Sequence, residues 1–456
     1  MKNMLQALNT LIFVVFFLST PSFAAQYFVA TQGSDSTGNG SLNLPWGTPQ
    51  YGAKQLKSPG DVLIIRGGTY AVSGTSSPIK NAAISPAADN CTIRSYEGET
   101  VILDGGSAPT NGIIGDHDGS RIRNGLTIDG LIIKGIVVLM GQGTTVQNCD
   151  IYVGGDSWGG IGQGEVIWVE ASGNITIRNN KIHSNTRRSD MSNNSLIMLY
   201  YGQNVIIENN DFYDSVGPAI NVKGGNRITQ YVTMRYNYFY DNAAGAVWTA
   251  NQGNPRYLDI YHNVFRNNAS INNAEFGAIT FVIDTRDARI FNNTFHQNYS
   301  GDFLKWTDVA YMNTTFFNNI SASPRNVHIS FPYSHSQPTF TYLDYNCYYN
   351  GGTWLYKGAR KTSLSAWRSS IQSDLTNAEA SSLSADPNFV NASGAFKYAT
   401  DFKRLSYPMN GRGAGFAAVM GAYVKGTESI GYMGKDFIPN DNSQVPAFPK
   451  NLRIIN

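Results

Sequence analysis

From Asn204 the chain reads NVIIENNDFYDS, from Tyr231 YVTMRYNYFYDN, from Tyr257 YLDIYHNVFRNN and from Asp287 DARIFNNTFHQN. Each stretch alternates apolar and polar positions, reaches an Asn and places Phe two residues later, so side chains of one parity share one face of a short strand. Aligned on that Asn, Asn180, Asn210, Asn237, Asn263, Asn293, Asn319 and Asn346 form one column at intervals of about 26 to 30 residues, the period of a stacked repeat. Between Pro218 and Asn242, AINVK alternates, GGNRITQ breaks, YVTMRYN alternates again, and YFYDN follows the Asn before AAG breaks the chain once more. No helical periodicity interrupts these runs.

Three short strands and three turns per unit predict an all-β solenoid, a parallel β-helix with three strands per coil and coils stacked about 4.8 Å apart. The Asn column then becomes an internal ladder of amide hydrogen bonds, with the Asn expected to take the left-handed conformation of a tight corner. Phe212, Phe239, Phe265 and Phe295 are expected to stack inside the core. Propellers repeat at about 40 residues or more, and leucine-rich repeats require a Leu/Asn consensus that is not visible here.

The same parity sorts a second strand of each coil. With Ile220 and Val222 inward, Asn221 and Lys223 point outward. The equivalent outward positions are Trp168 and Glu170, Met198 and Tyr200, Trp248 and Ala250, Thr280 and Val282, Lys305 and Thr307, then His328. Two long turns, YVGGDSWGGIGQG before Glu165 and HSNTRRSDMSNN before Ser195, adjoin this face, as binding loops of a solenoid do. They carry Trp158, Arg187 and Arg188, and turns on the other flank add Arg227 and Arg256. Cationic walls over an aromatic floor suit an acidic sugar chain. Lys223 is the candidate base, Tyr200 the candidate acid about 5 Å along the axis, and Arg187, Arg188 or Arg227 the group that neutralises a carboxylate. Trp168, Glu170, Asn221, Trp248, Lys305 and His328 are candidate substrate contacts. The competing reading makes Lys223 an edge charge and Tyr200 a packing residue.

Composition narrows the picture. Aromatic residues make up 12% and charged residues 14% of 456 positions, which supplies a large core with little charge around it. The formal net charge of +2 gives no reason to expect a nucleic-acid partner. Cys91, Cys149 and Cys347 are odd in number and far apart, which fits neither a disulfide framework nor a zinc site. Calcium through Asp156, Glu170 or Asp190 is left open beside the preferred reading of these as solvated loop carboxylates. Glu170 and Asp284 sit four coils apart, on the order of 19 Å, too far for the roughly 5 to 9.5 Å of a hydrolytic carboxylate pair. GDHDG at Gly115 to Gly119 reads as a turn, and His183 and His296 as structural. The segment MKNMLQALNTLIFVVFFLSTPSFAA has the charge, apolar run and small residues of a signal peptide over 1–24, predicting a secreted or periplasmic protein with no membrane span.

From YFVATQGSDSTGNGSLNLPWGTPQYGAKQLKSPGDVLIIRGGTY through the Asn-anchored coils to SLSADPNFVN and GAGFAAVMGAY, the chain resembles right-handed parallel β-helix proteins of the pectin-lyase-like superfamily. Its opening segment looks like the N-terminal cap of secreted polysaccharide lyases, and the expected divisions are a cap over 25–88, coils over 89–352 and a closing segment over 353–456, in one domain and one protomer, because a solenoid grows without starting a second core. The functions of the superfamily range over polysaccharide lyases, epimerases, hydrolases and binding proteins. No Asp-rich calcium cluster, DPHD string or row of Asp pairs marks one of these, and the coil after Lys223 offers Trp248 and Asn251 where lyases of this fold carry Arg. The leading expectation is β-elimination on an acidic polysaccharide. The alternatives are a non-catalytic glycan-binding or surface protein and a uronate C5-epimerase.

Overall fold

The computed structural model describes residues 24–72, 81–106, 112–153, 165–185, 194–225, 227–249, 255–271, 276–282, 285–305, 313–331, 340–391, 396–405 and 419–434. Strands of two to six residues recur in threes and pair with their equivalents one coil away, giving three 12-stranded sheets. The first sheet holds the strands that precede each ladder Asn, among them Gln203–Glu208, Gln230–Arg235 and Arg256–Tyr261. The second holds those that follow it, such as Asp211–Ser215, Tyr238–Tyr240 and Val264–Arg266. The third holds Ile167–Glu170, Ile197–Tyr200, Ile220–Lys223 and Val247–Thr249. The segment expected to cap the solenoid already belongs to it, since Gln26–Val29 and Val62–Ile65 pair in parallel and open the first sheet. At the far end Thr353–Tyr356 still pairs in parallel, and Ala359–Lys361 turns back antiparallel and closes the edge. Among the described residues no helix is long and apolar enough to cross a membrane.

The Asn column is a continuous ladder. The side-chain N–H of Asn180 donates to Asn210 at 3.0 Å, Asn210 to Asn237 at 3.0 Å, Asn237 to Asn263 at 3.0 Å and Asn263 to Asn293 at 3.1 Å. Asn293 donates to Asn319 at 3.1 Å and Asn319 to Asn346 at 3.3 Å. Each oxygen also takes a backbone N–H, as Asn237 does from Asn210 at 3.0 Å, so one amide satisfies buried groups of two coils. Beside it, Phe212, Phe239, Phe265 and Phe295 stack at 4.8, 4.9 and 4.8 Å.

The corner geometry differs from the expectation. The left-handed residue is the one before each ladder Asn: Asn179, Asn209, Tyr236, His262, Asn292, Asn318 and Tyr345 all have φ between 50° and 56°. One left-handed residue suffices to turn the chain, and its side chain then points out while the next, the ladder Asn, points in. Those outward side chains hold the closing segment: Asn179 accepts from Met433 N at 2.8 Å, and Asn209 and Asn292 donate to Ser429 O and Val419 O, both at 2.6 Å. A second buried column, absent from the expectations, runs through Asn242, Asn268 and Asn298 with amide bonds of 2.9 and 3.2 Å. It continues from Asn298 to Asp302 at 2.8 Å, and Ser321 joins Asp302 to His328.

Replacing Asn237 with Leu removes the acceptor of Asn210 N–H and the donor to Ile207 O, 2.9 Å away. Denaturant unfolding should show a loss of about 1 to 3 kcal/mol for each group left unsatisfied. An unchanged midpoint would contradict the ladder's role. His296 is enclosed by Phe389, Phe396 and Phe402, with ring centroids 6.2, 4.2 and 5.3 Å away, and burial lowers its pKa to about 4. Above the ordinary histidine value the ring is neutral whether folded or not; as pH falls from there towards 4 only the unfolded chain takes the proton, so stability declines across that window. At pH 5 this is worth up to about 2 kcal/mol, and His296→Phe should flatten that part of the stability–pH curve.

Candidate functional site

The third sheet aligns Glu170, Tyr200 and Lys223 on successive rungs, and Trp168, Met198, Asn221, Trp248 and Thr280 on the row beside them. Both rows have outward parity, because Ile167, Val169, Ile220 and Val222 fill the core between them. Beyond Thr280 the register departs from the expected row. Leu304 pairs with Thr280 and Lys305 with Phe281, so the place expected for Lys305 in this row is taken by Leu304. Leu304 stands eleven residues after its ladder Asn293, as Asn221 does after Asn210 and Trp248 after Asn237, so Leu304 and not Lys305 is the equivalent position. His328 also leaves the row: it is 2% exposed, bonded to Ser321 and to Gly351 O, and burial lowers its pKa to about 4.

Around Lys223 the side chains form a compact group. Trp168 Nε1 donates to Glu170 Oε2 at 3.0 Å, and the Trp168 and Tyr200 rings lie 5.3 Å apart. Lys223 Nζ lies 5.5 Å from the centre of the Tyr200 ring, where the electron-rich face attracts its charge. Tyr200 is half-buried, and burial, followed by the charge of Glu165, raises its pKa so that the phenol stays protonated at neutral pH. Lys223 is 7% exposed, and the Thr229 hydroxyl bonds to its carbonyl, tying the turn that follows back to the strand.

Other expected members stand apart. Asn221 and Trp168 are buried. Trp248 does point away from the solenoid axis but is only 7% exposed, packed with Ala244, Ala269 and Phe276 under the adjoining turn. It is a packing residue, because the neighbouring coil folds over a side chain that parity alone would leave in solvent. Arg227 is exposed at the turn after Lys223. Trp158, Arg187, Arg188, Asp156, Asp190, Ala250, Asn251, Asp284 and Thr307 lie outside the described residues. Among the described residues no group of three or more His, Cys, Asp or Glu could hold a metal ion. His183 is stacked between Tyr152 and Tyr213 at 5.2 and 4.4 Å, and Asp118 of the GDHDG string closes a turn through Ser120 and Arg121.

A concavity of about 960 Å³ lies on a different face, along the outside of the first sheet. Its lining includes Asn204, Tyr231, Tyr257, Asp259, Asp287 and Arg289. Tyr231 and Tyr257 are 50% and 42% exposed and stack in parallel at 4.7 Å. Both occupy a turn column in which every residue from Asn174 to Asn313 is left-handed, with φ between 46° and 58°. Asn and Asp tolerate that geometry, whereas a residue with a bulky side chain meets a cost of about 1 to 2 kcal/mol. The sequence signal was visible as two Tyr at the head of the repeats YVTMRYN and YLDIYHN, where other coils carry Asn or Asp; they pass for ordinary strand residues until the turn is seen.

A family model described as a right handed beta helix region matches residues 111–269. Over those residues the three-sheet solenoid is that of a right-handed β-helix. Among curated proteins no sequence match was found. Solved structures with a similar chain path include pectate lyase Pel9A, 14% identical over 90% of this chain and 96% of that one, with a TM-score of 0.49. XylC in complex with xylose is 12% identical over 80% of this chain and 87% of that one, also at 0.49. The A-module of mannuronan C-5 epimerase AlgE4 from Azotobacter vinelandii is 13% identical over 64% and 87%, at 0.37. At such identities these likenesses concern the fold alone.

Trp248→Ala should lower stability by about 3 to 5 kcal/mol, the usual cost of truncating a buried Trp, measured by denaturant unfolding. A variant as stable as the parent would return Trp248 to solvent and to the list of ligand contacts.

Proposed function

We propose that this β-helix is a secreted protein that cleaves an acidic polysaccharide by β-elimination on the outer face of the third sheet. The observation that carries the reading is the pairing of Lys223 with Tyr200 on adjacent rungs, with the ammonium group 5.5 Å from the ring of a phenol that burial keeps protonated. Secretion rests on the apolar, cleavable-looking segment over 1–24.

In this reading the Lys223 ammonium first gives a proton to solvent and then, as the free amine, takes the proton on the carbon next to the uronate carboxylate. The electron pair forms the C4–C5 double bond and expels the glycosidic oxygen from C4, which takes the Tyr200 proton. The products are a shortened chain and an unsaturated uronate, and return of the proton from Lys223 to the phenolate resets the pair. Arg227, at the rim, is the described residue available to offset the substrate carboxylate, with Arg187 and Arg188 as further candidates from the preceding turn.

A second reading, a non-catalytic glycan-binding protein, is favoured by the burial of Trp168, Asn221 and Trp248 on the proposed catalytic face while the exposed aromatic pair lies on another sheet. Alginate, pectate and glycosaminoglycans incubated with the protein, with unsaturated product followed by ultraviolet absorbance, separate the two. Elimination predicts product from one of these polymers and a loss of about 100- to 10,000-fold in Lys223→Ala and Tyr200→Phe, with the melt retained. No unsaturated product from any of them rules elimination out; solvent deuterium entering the polymer without shortening identifies epimerisation instead.

A further inference from the structure

The concavity on the first sheet is separate from the Lys223 face, and the proposed elimination makes no use of it. Its most informative feature is the pair Tyr231 and Tyr257. In their column the coils on either side carry Asn204 and Asp287, residues suited to the left-handed backbone that all four share. Burial does not explain the two tyrosines, because both are among the most exposed large hydrophobic residues described. Tyr236, also left-handed, offers the contrast: it is buried against His262, with ring centroids 5.1 Å apart. Strain retained without burial marks a position kept for what it presents to solvent.

What it presents is a stacked pair of rings whose outer faces look along the solenoid axis in both directions. The small side chains of Asn204 and Asp287 leave room on those sides, and the volume of about 960 Å³ extends along the same column. Hydroxyls and amides surround it, including Thr233, Thr315 and Asn313. Flat apolar faces bordered by such groups match the two characters of a sugar ring, C–H faces and a rim of hydroxyls. The charge narrows the class. Among the described lining residues the charged groups are Asp259, Asp287 and Arg289, and Arg289 is engaged in a two-pronged ion pair with Asp259 that raises its pKa. Asp287 accepts from Asn313 at 2.9 Å. A polyuronate would bring further carboxylates to a lining that is negative on balance, so an uncharged chain is the better fit.

We propose that this groove is a binding site for a neutral glycan strand, whose rings continue the Tyr231–Tyr257 stack along the solenoid axis. The site holds the protein on an uncharged polysaccharide, independently of any chemistry on the third sheet.

Affinity electrophoresis of the full chain through gels containing mixed-linkage β-glucan, arabinoxylan or galactomannan, with alginate and pectate gels alongside, tests this directly. The informative variant is Tyr231→Asn with Tyr257→Asn, because Asn204 and Asn313 already hold that backbone conformation. Retardation of the parent in at least one neutral gel, weakened at least tenfold in the double variant with its melting temperature unchanged or raised, is the expected result. Lys223→Ala should be retarded like the parent in that gel, so failure of the elimination reading leaves this one standing. The proposal is overturned if no neutral glycan retards the parent, if the double variant is retarded equally, if its melt collapses, or if the tyrosines matter only in the acidic gels.

Discussion

Stacking of one coil on the next, rung to rung, is the constraint on which the molecule depends. Parallel pairing repeats at about 4.8 Å, and any group placed at the same point of each coil meets its own copy above and below. An amide can do so favourably, since it both donates and accepts. The ladder from Asn180 to Asn346 uses that property, and each of its members also holds backbone groups of adjoining coils. Aromatic rings tolerate the same spacing, which is why Phe212 to Phe295 line the interior beside the amides. Where the second amide column runs out of Asn, Asp302, Ser321 and His328 continue the hydrogen bonds, and burial raises the Asp302 pKa to about 7 and lowers that of His328 to about 4. Both changes favour the neutral forms, as expected of polar groups removed from water.

Repetition also governs the surface. A solenoid cannot gather distant residues into one pocket as a globular fold does; it offers rows, and a row gains chemical character only where a coil departs from its neighbours. Lys223 beside Tyr200 is one such departure on the third sheet, and Tyr231 beside Tyr257 is another on the first. The two rows differ in exposure and in charge. The corner residues form a third row, and their outward amides and rings secure residues 419–434 along the solenoid.

The sequence by itself determined the period, the number of strands per coil, the inward Phe and Asn columns and the parity of the strands around Ile220, because each depends on the spacing of residue types along one chain. It also placed Glu170, Tyr200 and Lys223 in line, since their strands share one length and one apolar parity although the turns before them differ in length. Only the tertiary structure decided what covers each row. Outward parity says that Trp248 leaves its own coil, not that Phe276 and Ala269 lie above it. Lys305 and His328 are not the row members of their coils: Leu304 and Ser330 pair there, each eleven residues after its ladder Asn, as Asn221 and Trp248 are, so this part of the register was legible from the spacing. The left-handed residue at each corner was misplaced by one position for a different reason: Asn occurs on both sides of the bend in several coils, and only coils such as that of Tyr236 and Asn237 show which of the two turns the chain and which one joins the ladder.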